Sequence, residues 1–184
     1  MRIAVDVDNV VVEMTPHVLK EINRKYGTKF TPEDITEWHT KLQHPTDGRP
    51  IDYTKELFEQ YDVPGFMEGV PLTPGAKEGI QELKDKGHKV FLLTGRDKKY
   101  AEPTMVTAKQ LHPDLKVIHA PEGKQNYVNY FDVLLDDSPN EIKNVGLAGG
   151  NTIIFDRPWN RNMSPLYGRR VADWPQFLNT IDDL

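Results

Sequence analysis

The sequence predicts an α/β fold, a parallel sheet flanked by helices, with a helical segment inserted after the first strand. Three observations predict it. Short apolar runs at Ile3–Val5, Val90–Leu93, Val133–Leu135 and Thr152–Phe155 have the length of buried strands. From Gly75 onward such runs alternate with helical stretches, which argues for parallel strands covered on both faces. Acids and a hydroxyl stand where these runs end: Asp6 and Asp8, Thr94, and Asp136 and Asp137. Ligands of open α/β sheets bind outside the carboxyl ends of the strands.

In chain order, Met14, Val18, Leu19, Ile22 and Tyr26 recur at helical spacing, so a first helix covers about Thr15 to Tyr26 and stops at Gly27. Thr31, Pro32 and the acids Glu33 and Asp34 form a helix start, and the short helix they open carries Trp38 and His39. Gln43 to Pro50 is a loop by composition. A helix follows over Tyr53–Tyr61, and Pro-Gly turns then bracket Phe66 and Met67. Helices are expected over 76–86, 98–111 (disturbed at Pro103), 140–147 and 175–184, with a short strand at Val117–Ile118. This places a core in residues 1–13 and 75–184 and an insertion in residues 14–74.

Composition narrows the function classes. The chain has 184 residues, 38% of them hydrophobic and 28% charged, as in a globular domain with a real core. Its net charge of −5 offers no basic field for long nucleic acid, so a small phosphorylated substrate would need local cations. Cysteine is absent, which excludes disulfides and thiolate chemistry. No run reaches the ~18 apolar residues of a membrane span, and a cytoplasmic protein is the expectation.

Asp6 and Asp8, one residue apart, repel each other and call for a cation. A hard divalent ion with oxygen ligands answers this, and Mg²⁺ fits best. If the strands are neighbours, Asp6, Asp8, Thr94, Asp136 and Asp137 meet at one sheet edge. With a lysine, for which Lys124 is the placed candidate, they form a sufficient kit for phosphoryl transfer, in which a carboxylate can be the nucleophile. Each residue also has a plainer use: Thr94 as a helix cap, Lys124 as a loop lysine, and Arg96 as the partner of a neighbouring acid.

Asp-Val-Asp-Asn-Val-Val at 6–11, LLTGR at 92–96, Lys124 and LLDDSP at 134–139 together resemble the motifs of the haloacid dehalogenase-like phosphohydrolases, in the family's order. The second acid favours phosphatases over dehalogenases. Ile154-Phe-Asp-Arg-Pro-Trp-Asn160 with Arg161 is similar to the 5'(3')-deoxyribonucleotidase family. The resemblance implies a Rossmann-like core with a small helical cap at 14–74. It implies Asp6 as nucleophile and Mg²⁺ ligand, and Asp8 as general acid/base with its carbonyl on the metal. Thr94 and Lys124 would hold the phosphoryl oxygens, and Asp137 would bind the metal with Asp136 in support. Gly95 and Arg96 would contact substrate. Asn9 stands where the family often has glycine, and Asn tolerates unusual backbone angles better than most residues, so little damage is expected. The base would be met by Trp38 and Phe66, two aromatics of the cap. The implied activity is hydrolysis of nucleoside monophosphates, with a homodimer left open. The alternatives are a phosphatase for another small ester or a nucleic-acid end, and a non-catalytic protein binding metal or phosphate.

Overall fold

A computed structural model describes residues 1–184 apart from Trp38. In chain order its strands and α-helices are β1 (Arg2–Val5), α1 (Met14–Tyr26), β2 (Lys41–Gln43), β3 (Pro50–Asp52), α2 (Tyr53–Tyr61), α3 (Ala76–Asp85), β4 (Lys89–Thr94), α4 (Ala101–Leu111), β5 (Lys116–His119), β6 (Val133–Asp136), α5 (Pro139–Leu147), β7 (Thr152–Phe155), β8 (Arg169–Val171) and α6 (Trp174–Asp182).

Six strands form one parallel sheet in the order β5-β4-β1-β6-β7-β8. Ile3, Ala4 and Val5 of the central β1 are fully buried because helices cover both faces. The chain builds outward from β1 through β4 to β5, then crosses back to β6 and builds the other way. That reversal opens a crevice at the carboxyl ends of β4, β1 and β6. Val5 is level with Leu92 on one side and Leu135 on the other, so Asp6, Thr94 and Asp136 emerge at one edge.

Beyond β1 the backbone doubles back. Val11 and Val12 donate their N–H groups to the Val7 carbonyl at 3.0 and 3.1 Å. Asn9 takes a left-handed conformation there (φ 61°), the backbone that the Asp-x-Asp-Asn pattern anticipates. The Asn9 side chain then accepts the Thr15 N–H at 2.7 Å, satisfying a free donor in the first turn of α1. The insertion leaves and returns through a narrow neck, in which Glu13 N–H donates to Pro71 and Thr73 N–H to Val11.

Two expectations for the insertion change. The helix predicted to carry Trp38 and His39 is a single 3₁₀ turn, Pro32–Asp34; Trp38 itself lies outside the described residues. The stretch from Gln43 to Pro50 closes an antiparallel hairpin of β2 and β3, so the insertion is not purely helical. Each of those strands buries one residue, Leu42 or Ile51, which is too little for a period-two signal.

Trp174 links the far end of the chain to the site. Its indole N–H donates to the Val10 carbonyl at 3.1 Å, and its ring lies against α3 where Gly79 leaves room. A Cβ on Gly79 would fall 2.4 Å from Trp174 Cε3. Gly79→Ala is therefore expected to destabilise by about 1–3 kcal/mol, although alanine favours a helix by about 1 kcal/mol. Urea melts of the two proteins check this.

Candidate active site

The crevice gathers the acids. Asp6 N–H donates to the Leu135 carbonyl at 2.9 Å, which sets the end of β1 beside the end of β6. Asp6, Asp136 and Asp137, all buried, each offer an oxygen within 4.8 Å of the others. Lys124 enters from a 3₁₀ turn (Lys124–Tyr127) and places Nζ 2.5 Å from Asp6 Oδ1 and 2.6 Å from Asp136 Oδ2. Its own N–H donates to Glu141 Oε2 at 2.9 Å, which holds the turn against α5.

One ammonium does not balance three carboxylates. Burial pushes the Asp6 carboxyl up to about 7; Lys124 pulls it down, and Asp136 and Asp8 push it further up. Asp137 is held well above the ordinary carboxylate range by burial and by Asp6 and Asp136. Burial alone would lower Lys124, but Asp136 and Asp6 outweigh it and raise its pKa. A buried oxygen cluster short of positive charge suits a hard divalent cation.

Surrounding groups orient these acids. Asp136 Oδ1 accepts the Ser138 N–H at 2.8 Å. Asp137 Oδ2 accepts the Trp159 indole N–H at 3.0 Å, and its carbonyl accepts from Asn160 Nδ2 at 2.9 Å. Arg157, in the same stretch, donates to the Asn9 carbonyl at 2.8 Å and to Glu13 Oε1 at 3.1 Å. The segment 157–160 thus braces both the loop after β1 and Asp137. The sequence singles out this stretch only by resemblance; the roles of Arg157, Trp159 and Asn160 come from their contacts.

Asp8 points elsewhere. Arg96 grips its carboxylate with Nη2 on Oδ1 at 2.6 Å and Nε on Oδ2 at 2.9 Å, and anchors Nη1 on Thr104 Oγ1 at 3.1 Å. The Tyr61 hydroxyl, from α2, donates to Asp8 Oδ2 at 2.9 Å. The Asp8 side chain is therefore not part of the carboxylate triad, and Arg96, singled out as a substrate contact, is engaged with an acid. Thr94 is buried, and its Oγ1 accepts the Arg96 N–H at 3.2 Å.

Asp6, Asp8, Thr94, Gly95, Arg96 and Lys124 all face one cavity of about 520 Å³. Its other wall comes from the insertion: Ile35, His39, Tyr53, Leu57, Phe58 and Tyr61. Phe66 does not line it. Its ring, 8% exposed, packs 4.6 Å from the His17 ring in the core, because the turn at 64–66 aims it inward. Among the described residues, Phe58 stands exposed on the cavity wall, at 56%.

The sheet order, the loop after β1 and the acid–lysine cluster define a haloacid dehalogenase-like hydrolase. Solved structures agree on the fold. A hydrolase of that class from Deinococcus radiodurans, with bound phosphate and sodium, superposes with a TM-score of 0.69 at 15% identity over 99% of this chain and 95% of that one. Another from Bacillus subtilis, bound to magnesium, gives 0.62 at 14% identity over 98% of each. Residues 1–182 match the model of the family described as 5' nucleotidase, deoxy (pyrimidine), cytosolic type C protein. The chain belongs to this family and is a phosphoric monoester hydrolase. Similar proteins include one described as a nucleotidase from Oceanobacillus iheyensis, 22% identical over 97% of both chains. Another, described as a 5'(3')-deoxyribonucleotidase from Staphylococcus epidermidis, is 23% identical over 100% of this chain and 97% of its own. Among the described residues no helix is long and apolar enough to cross a membrane.

The carboxyl raised to about 7 carries a stability consequence. Between roughly pH 4 and that value the folded chain holds a proton that the unfolded chain has released, so stability falls as pH rises through this window. A divalent cation must displace that proton. Added Mg²⁺ is therefore expected to raise the thermal midpoint clearly at about pH 7.5 and little at about pH 5. Differential scanning fluorimetry at the two pH values checks this.

Proposed function

We propose that the protein is a Mg²⁺-dependent nucleotidase that hydrolyses nucleoside monophosphates, deoxyribonucleotides foremost, through an aspartyl-phosphate. The observation that carries the reading is one cavity with two unlike ends: the carboxylate–lysine cluster on the floor, and the aromatic and apolar wall of the insertion. Such a space takes a phosphoryl group at one end and a flat ring at the other. The nucleotidase family match supports the substrate class, and the name of the Staphylococcus epidermidis relative supports the deoxyribonucleotide preference.

Asp6, Asp137, Asp136 and the Asp8 carbonyl would hold the metal, which supplies charge neutralisation for the phosphoryl oxygens. Lys124, Thr94 and the Gly95 backbone would hold those oxygens as well. An Asp6 carboxylate oxygen attacks phosphorus, an Asp6 acyl phosphate forms, and the bond to the sugar oxygen breaks. Asp8 passes its proton to the departing oxygen. A water then gives a proton to Asp8 while its oxygen attacks phosphorus. The bond between phosphorus and the Asp6 oxygen breaks, the carboxylate is restored and inorganic phosphate leaves. The insertion acts as the cap, and Phe58, in place of Phe66, offers the stacking face for the base.

The test is phosphate release from a panel of nucleoside monophosphates and from p-nitrophenyl phosphate, with Mg²⁺ and with chelator, for the wild type and Asp6→Asn. Metal-dependent turnover of the nucleotides, with a loss of at least about a thousandfold in Asp6→Asn, is expected. Asp6→Asn within tenfold of wild type would remove the covalent mechanism. No turnover of any ester would leave a binding protein, and turnover of only non-nucleotide esters would replace the substrate.

Phe58→Ala is expected to lower kcat/KM for a nucleotide by about 1–3 kcal/mol, roughly 5- to 150-fold, as the loss of one stacking face predicts. Its effect on p-nitrophenyl phosphate should be much smaller. Because Phe58 is exposed, its thermal midpoint serves as the folding control. Equal losses on both substrates would place the base elsewhere.

A further inference from the structure

A hydrogen bond from the insertion reaches the catalytic acids. Among the described residues, Tyr61 is the one member of the insertion whose hydrogen bond reaches an acid of the site: its hydroxyl donates to Asp8 Oδ2 at 2.9 Å across 53 residues of chain. Four contacts fix it there. The Tyr61 ring meets Tyr100 edge-on at 5.3 Å and lies 5.7 Å from the Arg96 guanidinium carbon. The next residue, Asp62, accepts the Tyr100 hydroxyl at 2.8 Å and pairs with Lys99 at 3.2 Å. The carboxyl end of α2 is thus docked on the residues that lead into α4.

Asp8 depends on this docking for its orientation. Arg96 holds both carboxylate oxygens from the core, and Tyr61 adds a third bond from the insertion. The dependence is mutual. Tyr61 is buried, and burial together with the nearby Asp8 charge keeps its hydroxyl protonated and a donor. If Asp8 turned away, the structure would bury an unpaired hydroxyl.

We infer that Tyr61 is a positioning residue for proton transfer: it aims the Asp8 carboxylate, and so couples delivery of a proton to the leaving group to the seating of the insertion on the core. This rests on the phosphatase reading given above, with Asp8 as the acid that protonates the departing oxygen. The coupling is distinct from base recognition, because it concerns the ester bond and not the ring beyond it.

The experiment separates leaving-group assistance from binding by using two esters of similar ring size. Benzyl phosphate releases a basic alkoxide that needs a proton, and p-nitrophenyl phosphate releases a phenolate that does not. Tyr61→Phe removes the hydroxyl and keeps the ring. The expected result is a fall in kcat/KM of about tenfold on benzyl phosphate and less than about twofold on p-nitrophenyl phosphate, a part of the full effect of an acid catalyst. In an Asp8→Asn background, Tyr61→Phe should change benzyl phosphate turnover no further. Equal losses on both esters, no loss on either, or an undiminished effect in the Asp8→Asn background would overturn the inference. Should Tyr61→Phe fail to fold, Asp62→Ala, at an exposed residue outside the cavity, loosens the same docking. A shift of the benzyl to p-nitrophenyl ratio in the same direction then supports the inference, and an unmoved ratio overturns it. A wild-type chain that hydrolyses neither ester would remove the phosphatase reading and this inference together; one that hydrolyses both, with the ratio unmoved, removes the inference alone.

Discussion

Everything at the sheet edge depends on one buried ammonium. Carboxylates taken out of water cost several kcal/mol each unless they are paired, and three of them stand together here. Lys124 offsets two by lying between Asp6 and Asp136, and it can do so because its four-carbon stem is buried with it. The turn that delivers it needs Gly123 at φ 106°, where a side chain would be strained, and it needs Glu141 to receive the Lys124 N–H. Asp137 has no cation paired with its carboxylate, which accepts the Trp159 indole N–H instead, while Asn160 Nδ2 donates to its backbone carbonyl. The cluster is therefore held together but under-neutralised, the condition in which a bound divalent ion gains most.

The parallel sheet explains why such a cluster can form at all. Adjacent parallel strands end on the same side, so residues far apart in sequence arrive at one edge without long loops to carry them. The reversal of strand order beside β1 then leaves the edge uncovered by crossovers. What covers it is the insertion, tied to the core by the neck of residues 11–13 and 71–73 and by the docked end of α2. Inside the insertion, Glu56 is buried between Lys25 and Tyr26, which locks α1 against α2. The wall of the cavity is thus a rigid pair of helices seated at two places. Under the function proposed above, phosphoryl chemistry would belong to the sheet edge and recognition of the rest of the substrate to that wall.

Much of this was legible in the sequence, for physical reasons. The central strands are continuous apolar runs because both their faces are covered, and the acids directly behind them are too polar for a strand without a ligand. β8 was not legible: Arg169 and Arg170 disguise it, and an edge strand can afford them because Arg170 reaches out to Asp156 and Asn160. The hairpin of β2 and β3 was hidden by its three-residue strands. Lys124 could be placed by order and spacing, since it had to come between two strands. Tyr61 could not, because its role depends on an approach across 53 residues, and in the sequence it is one more apolar position on a helix. Phe58 and Phe66 illustrate the same limit. Both are aromatics of the insertion, and only the direction of the turn before Phe66 sends one ring into the core and leaves the other in the cavity.

The two acids of the Asp-Val-Asp stretch receive different cations, and the difference suits different tasks. An ammonium is a compact charge that can bridge two carboxylates through one oxygen of each, as Lys124 does at Asp6 and Asp136, so that the second Asp6 oxygen lies outside the bridge. A guanidinium is a planar fork that engages both oxygens of one carboxylate and fixes its plane, as Arg96 does at Asp8. An acid that must form a bond to phosphorus needs an open oxygen; one that must hand over a proton in a set direction needs a fixed plane. Val7, fully buried between them, anchors the loop so that the two side chains separate into these surroundings. With the roles proposed for Asp6 and Asp8, exchanging the cations would give a clamped nucleophile and a loosely aimed acid, so the type of each base would be as much a part of the site as its charge.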